Sequence, residues 1–347
     1  MSKKIRVIIV DDSMLIREIF SSILSRDPEI DVVATASDAF DAREKIKQHN
    51  PDVITLDVEM PKMDGITFLE KIMTLRPMPV VMVSSLTQKG ADITFKALEM
   101  GAIDCLGKAN SASDMEAIAH DLIFKVKAAA KARVKPLTRP AAGAAPASAV
   151  PTLHYSGNAN KWLIAIGAST GGVEALREVL FRFPANSPPI VITQHMPALF
   201  TKPFADRLSK ICSIRVQEAA DGMPIKAGNA YIAYGGQHLR VRTQGGHYVC
   251  SFDDSPLVSG HKPSVDVLFH SVAEVAGERA VGAILTGMGR DGAQGLLAMR
   301  NAGAQTIGEA EESCVVYGMP KVALELGAVE KQYSLKHIAA EILRRCM

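Results

Sequence analysis

The sequence predicts two α/β domains, each a parallel sheet covered by helices, joined by a linker. Three observations carry this. Short apolar runs alternate with amphipathic segments over residues 5–125, the pattern of buried strands connected through helices. That alternation stops in an alanine- and proline-rich stretch and then resumes beyond it. At 347 residues the chain is also long enough to bury two separate cores.

In the first half, strands fit Ile5–Val10, Asp31–Ala36, Val53–Leu56, Val80–Ser84 and Ile103–Leu106. Between the first two, Leu15, Ile19 and Ile23 recur at i, i+4 and predict one buried helix face. Further helices fit Ala39–Gln48, Gly65–Thr74, Ala91–Met100 and Ser113–Lys131. Five such βα units predict a five-stranded doubly wound domain over residues 1–133.

Residues 134–158 change character: Lys135-Pro136, Arg139-Pro140, Ala141-Ala142-Gly143-Ala144-Ala145-Pro146 and Val150-Pro151. Alanine punctuated by four prolines, with few large apolar residues, cannot bury a core and reads as a linker. A helix continuing from Lys131 is the alternative, which the prolines oppose.

From residue 159 to 347 the alternation returns. Strands fit Leu163–Ile166, Ile190–Gln194, Ala230–Ala233 and Ala283–Leu285, and helices fit Val173–Phe181, Pro203–Lys210, Ser264–Val275 and Gly292–Asn301. A second parallel-sheet domain follows, with a β-rich insert around Leu239–Phe252.

Composition narrows the function. A net charge of +2 marks no nucleic-acid or membrane surface. The five scattered cysteines form no C-x-x-C pair and read as reduced thiols. No apolar stretch approaches the roughly 18 residues of a membrane span. Met1-Ser2-Lys3-Lys4 leads straight into a strand pattern, so no signal peptide is expected. A soluble cytoplasmic protein is the expectation.

Two sets of residues carry chemistry. In the first domain Asp11 and Asp12 follow the first strand and Asp57 the third. Carboxylates at the C-terminal ends of parallel strands converge on the crevice where such folds bind ligands. Three of them repel unless a hard cation joins them, and oxygen-only ligation suits Mg²⁺. Asp57 is then the best-placed phosphoryl acceptor. Ser84 and Lys108, at the ends of the fourth and fifth strands, add a hydroxyl and a cation for phosphate oxygens.

This constellation resembles the receiver domain of response regulators, a flavodoxin-like fold, across residues 1–125. The turn Met60-Pro61-Lys62-Met63-Asp64-Gly65 matches the family's pattern. The resemblance implies that Asp57 is phosphorylated, that Asp11, Asp12 and Asp57 hold Mg²⁺ with a backbone carbonyl from Glu59, and that Ser84 and Lys108 couple phosphorylation to switching. It also implies a histidine kinase as phosphodonor. The chain departs from the family at Ala109, where a proline is usual, and at Cys105, where an aromatic switch residue commonly sits.

In the second domain Gly167-Ala168-Ser169-Thr170-Gly171-Gly172 links a strand to a helix. Glycines permit the tight turn, and the helix's first N–H groups can stabilise an anion. One reading is a dinucleotide loop with Ser169 as a cap. That reading expects an acid at the end of the next strand, where the chain has Gln194-His195. The other reading is a serine nucleophile with His195 as its base and Asp291, from Thr286-Gly287-Met288-Gly289-Arg290-Asp291-Gly292, as the orienting carboxylate. His261 and Asp266 are weaker rivals near a helix start, where Asp266 serves the helix dipole. His238, His247 and His270 read as core or surface histidines.

The segments Gly167–Gly172, Thr193-Gln194-His195-Met196-Pro197, His261-Lys262-Pro263-Ser264-Val265-Asp266, Thr286–Gly292 and Cys314-Val315-Val316-Tyr317-Gly318-Met319-Pro320 closely resemble the chemotaxis protein-glutamate methylesterase family, CheB. The resemblance spans residues 160–330 and includes the receiver-plus-linker arrangement. It implies a parallel-sheet serine esterase with Ser169, His195 and Asp291 as catalytic residues and Thr170, Met288 and Gly289 around the oxyanion. It implies no cofactor for ester hydrolysis. The implied substrates are glutamate methyl esters, and particular glutamines, on methyl-accepting chemoreceptors. With phosphorylation on Asp57, the implied arrangement is a switch that controls an enzyme.

Overall fold

The computed structural model describes residues 3–84, 87–108, 115–134, 136 and 153–347. By its internal contacts the chain divides into two units, 1–143 and 144–347.

In the first unit the elements run β1 (Ile5–Val10), α1 (Met14–Leu24), β2 (Ile30–Ala36), α2 (Ala39–His49), β3 (Val53–Asp57), α3 (Gly65–Leu75), β4 (Val80–Ser84), α4 (Gln88–Glu99), β5 (Asp104–Gly107) and α5 (Met115–Ala130). The five strands are parallel in the order β2-β1-β3-β4-β5, the flavodoxin-like arrangement. The chain leaves β1 toward one edge and returns through β3 toward the other, so a crevice opens above the C-terminal ends of β1 and β3. Register pairs Val10↔Leu56 and Asp57↔Val83 set the following carboxylates at one height. Helices α1 to α4 are opened by Ser13, Asp38, Asp64 and Thr87, whose side chains accept first-turn N–H groups. Thr87 in this role starts α4 three residues before the expected Ala91.

The expected α1 face needs correction. Ile23 is buried, but Leu15 is 64% exposed, and Phe20 and Leu24 complete the buried side. Rows at i, i+4 slant around a helix, so a row meeting the core at one end leaves it at the other. The Lys108-Ala109 departure lies partly outside the described residues, which end at Lys108 there. Residues 135 and 137–152 of the expected linker lie outside them as well.

The second unit begins before residue 159. Tyr155 is buried with its hydroxyl donating to the Cys346 carbonyl at 2.7 Å, and Leu153 N–H donates to Arg182 O. Its elements are β6 (Leu163–Ala168), α6 (Gly172–Leu180), β7 (Ile190–Gln194), α7 (Ala198–Ile211), β8 (Arg215–Glu218), β9 (Asn229–Ile232), β10 (His238–Gln244), β11 (His247–Asp253), α8 (Val265–Ala276), β12 (Ala280–Ile284), α9 (Ala293–Asn301), β13 (Gln305–Glu309), α10 (Met319–Glu325), β14 (Lys331–Tyr333) and α11 (Leu335–Arg345). Seven parallel strands follow the order β14-β13-β12-β6-β7-β9-β8, and β10 and β11 form a separate antiparallel hairpin. That hairpin occupies the expected β-rich insert.

Strands β8, β13 and β14 escape the sequence pattern. They read RVQE, QTIGE and KQY, too polar for an apolar-run signal, and β8 and β14 are the sheet's edges. Helix α7 begins five residues before Pro203, which lies inside it. Proline's preference for a first turn suggested the later start, but Phe200, Phe204 and Leu208 bury one continuous face.

The functional consequence is the topological switch. From β6 the chain first builds outward through β7, then returns to β12 on the other side. Loops after β6, β7 and β12 therefore meet at one point on the sheet's C-terminal edge.

Candidate functional site

In the first unit, Asp11, Asp12 and Asp57 each bring a carboxylate oxygen within 4.8 Å of the others. Arg17 fixes the Asp-Asp turn by donating to the carbonyls of Asp11 at 2.7 Å and Asp12 at 2.9 Å. Lys108 reaches across, its Nζ 2.8 Å from Asp57 Oδ2 and 3.0 Å from Asp11 Oδ2. Both of these oxygens are buried against the Lys108 ammonium. Burial pushes the Asp57 carboxyl up to about 6; Lys108 pulls against this, Asp11 adds to it, and the backbone N–H of Glu59 donates to it. A set of three converging carboxylates fits a hard divalent cation.

Gly65 pins the following turn to this site. A Cβ there would stand 2.0 Å from the Asp57 carbonyl oxygen, and Gly65 N–H donates to Val58 O. Ser84 is buried beside β3, and its hydroxyl donates to Gly90 O at 3.3 Å, while Lys108 N–H donates to Ser84 O. Cys105 is a buried residue of β5 whose thiol burial pushes up to about 12.

In the second unit, Ser169 follows β6, His195 follows β7, and Asp291 lies between β12 and α9. The structure brings all three together. His195 Nδ1 stands 2.9 Å from Ser169 Oγ and His195 Nε2 stands 2.8 Å from Asp291 Oδ2. With Asp291 ionised, Nε2 carries the proton and Nδ1 is the acceptor facing the serine. This ring is used in the opposite sense to the chymotrypsin-like arrangement, in which Nε2 faces the nucleophile.

Asp291 is held by the start of α8. Its Oδ1 accepts from Ser264 Oγ at 2.7 Å and Asp266 N–H at 3.1 Å, and its Oδ2 accepts from Val265 N–H at 2.7 Å. Burial alone would raise its pKa. His195 outweighs that, with help from Ser264 and Val265, and holds the carboxyl well below the usual range. The positive end of the helix acts in the same direction. His238 is a core histidine: Ser264 N–H donates to its Nδ1, and its Nε2 lies 3.0 Å from Pro256 O. His247 and His270 are exposed.

The serine's backbone is fixed from several sides. Ser169 N–H donates to Thr286 O at 3.0 Å, and Gln194 Nε2 donates to Ser169 O at 2.9 Å. Thr286 Oγ1 donates to Thr170 O at 3.0 Å, and Thr286 N–H donates to Glu309 Oε2 at 2.9 Å. Gly287 lets the loop pass the serine: a Cβ there would be 2.7 Å from Ser169 Cβ. Met288 and Gly289 lie next on that loop, with Gly318 packed against Met288 Cα and Gly289 N.

Several of these residues carry only a weak signal in the sequence, or none. Ser264 had a signal, since a serine before an apolar helical run marks an N-cap. Gln194 adjoins the histidine. His261, treated as a weak rival, stacks on His195 with ring centroids 3.7 Å apart and planes at 15°. Glu309 had none, because only pairing of β13 with β12 places it under Thr286.

Residues 164–342 match the CheB methylesterase family, and residues 7–120 match the response regulator receiver domain. A protein-glutamate methylesterase/protein-glutamine glutaminase of Rhizobium etli is 55% identical over 345 residues, 99% of this chain and 97% of the relative. Protein-glutamate methylesterase/protein-glutamine glutaminase 1 of Caulobacter vibrioides is 56% identical over 341 residues, 98% of this chain and 97% of the relative. The crystal structure of the Thermotoga maritima CheB methylesterase catalytic domain, 36% identical, matches 53% of this chain and 97% of its own with a TM-score of 0.52.

Proposed function

The chain belongs to the CheB methylesterase family, and from that premise we propose that it is a phosphorylation-activated protein-glutamate methylesterase and glutaminase with Ser169 as nucleophile, His195 as base and Asp291 as the orienting carboxylate. The observation that carries the assignment is the imidazole of His195 bridging Ser169 Oγ and Asp291 Oδ2 at hydrogen-bond distance on both sides.

Ser169 Oγ attacks the carbonyl carbon of a glutamyl methyl ester while its proton passes to His195 Nδ1. The imidazolium then returns that proton to the departing methoxy oxygen, and methanol leaves as the acyl-enzyme forms. Water attacks the acyl carbon, gives a proton to His195, and releases glutamate with the serine restored. On a glutamine side chain the same steps expel ammonia. Asp291 holds the ring in the tautomer that keeps Nδ1 free and stabilises its cation. Backbone N–H groups around Thr170, Met288 and Gly289 are the oxyanion donors, each worth about 10²–10³ in rate.

Control resides in the receiver unit. The Asp57 carboxylate takes a phosphoryl group from the phosphohistidine of a chemotaxis histidine kinase, forming an O–P bond as the N–P bond breaks. Asp11, Asp12 and Asp57 would hold Mg²⁺, with Glu59 contributing its carbonyl, and Lys108 would meet the phosphate. The ion, when bound, neutralises charge on the incoming group. Ser84 and Lys108 relay the change, which adds up to about two negative charges. The substrates are methyl-accepting chemoreceptors, the compartment is the cytoplasm, and the outcome is sensory adaptation. Among the described residues no helix is long and apolar enough to cross a membrane.

The test is methanol release from methylated receptor cytoplasmic fragments, with and without Mg²⁺ and a small-molecule phosphodonor. Release that rises with phosphodonor, and is absent in Ser169→Ala, is expected. Substantial turnover by Ser169→Ala would overturn this nucleophile, and release indifferent to phosphodonor would overturn the control.

A further inference from the structure

His195 is tied at both ring nitrogens, but those contacts and its own Cβ all lie in the plane of the ring. Restraints within the plane still let the ring tilt out of it by rotation about the Cβ–Cγ bond, and that carries the Nδ1 lone pair away from Ser169 Oγ. One face of the ring is covered by His261, whose imidazole lies 3.7 Å away and within 15° of parallel. The His195 side chain is 9% exposed.

The position of His261 is itself braced. Its backbone exchanges hydrogen bonds with Val258, N–H to O at 2.9 Å and O from N–H at 3.1 Å. The turn between them has Ser259 and Gly260 at positive φ. Immediately afterwards Lys262 donates to the carboxylate of Asp254 at 2.6 Å and accepts Gly236 N–H. Ser264, two residues on, then caps α8 and binds Asp291. A single short strap therefore carries both the plate against the base and the anchor of its carboxylate.

We propose that His261 is a positioning residue for ester and amide hydrolysis: its flat π face stops His195 from tilting and stabilises the imidazolium that forms when Ser169 gives up its proton. A ring face attracts a cation placed over it, and parallel stacking at this separation suits aromatic pairs. The proposal rests on His195 being the base. It adds no proton transfer, because the proton moves only between Ser169, His195, the leaving group and water.

The test compares His261→Phe with His261→Leu in the full-length protein, two side chains of related bulk of which one is aromatic. Methanol release should give a His261→Leu kcat about tenfold below the parent with KM little changed, and His261→Phe should restore it to within about threefold. Proton NMR gives a second readout, the downfield resonance of His195 Nε2–H bonded to Asp291. It should persist in His261→Phe and broaden through faster exchange in His261→Leu. Equal kcat in the two variants, or a Phe variant as impaired as the Leu variant, would overturn the stacking role. If Ser169→Ala still hydrolysed the ester, the proposed nucleophile, and with it the role of His195 as its base, would fail instead, and the NMR comparison would still judge whether the stack holds the ring.

Discussion

Asp291 and Asp266 cap each other's helices. Asp291, leading into α9, accepts N–H groups at the start of α8, while Asp266 Oδ1, in the first turn of α8, accepts Gly295 N–H in the first turn of α9 at 2.7 Å. Each carboxylate thus supplies what the other helix's first turn lacks, and the arrangement aims Asp291 at His195. Burial pushes Asp266 up to about 6, with the charge of Asp291 adding to it.

Removing the second half of this exchange should separate stability from chemistry. Asp266→Ala leaves Gly295 N–H without its acceptor and should cost about 1–2 kcal/mol in urea unfolding, with kcat reduced as Asp291 loosens. Asp266→Asn keeps an acceptor oxygen and should recover most of the stability. Equal losses in both would show that charge, not capping, matters there.

Gly287 is where the loop carrying Met288 and Gly289 passes Ser169. In Gly287→Ala the new Cβ would meet Met319 Sδ at 2.3 Å and Ser169 Cβ at 2.7 Å. Overpacking of this kind costs about 1–3 kcal/mol, and the serine must shift to relieve it. Methanol release is expected to fall at least tenfold in protein that circular dichroism reports as folded.

Glu309 should make stability depend on pH. Burial pushes its carboxyl from an ordinary 4.5 up to about 7, while Thr286 N–H pulls against it, and Oε1 has no hydrogen bond. The folded state therefore holds a proton that the unfolded state loses earlier. Stability from this group is complete below about 4.5 and is lost as pH rises through about 7, an effect of up to about 3 kcal/mol. Thermal melts of the parent should drop between pH 5 and 8, and Glu309→Gln should flatten that drop. A variant that follows the parent's curve would remove Glu309 as the cause.

Asp57→Asn should abolish the phosphodonor-dependent rise in methanol release. Chelating Mg²⁺ with EDTA should do the same to the parent, and excess Mg²⁺ should restore it. A rise that survives chelation would remove the carboxylate cluster from the phosphorylation chemistry.

The legible parts of this molecule were those in which local sequence does the specifying. Val7–Val10 followed by Asp11 and Asp12, or Leu163–Ile166 followed by Gly167–Gly172, announce a buried strand and a reactive turn within ten residues. Strand β13 could not be read this way, since Gln305-Thr306-Ile307-Gly308-Glu309 contains a single large apolar side chain. It lies inside the sheet because β12 and β14 pair with its backbone, which no side-chain pattern encodes. Leu15 failed for the converse reason: its spacing suited a buried face, but the core ends before the first turn of α1.

By itself the sequence determined the two α/β domains, the strand-end carboxylates and the residue types of the Gly167–Gly172 turn, because apolar period and glycine-shaped turns are local properties. Only the tertiary structure decided which nitrogen of His195 faces Ser169, that the first turn of α8 holds Asp291, and that His261 lies flat on His195. The first two of those relations each join residues 26 positions apart. They arise from strand order at the topological switch, where loops distant in the chain are brought to one edge of the sheet.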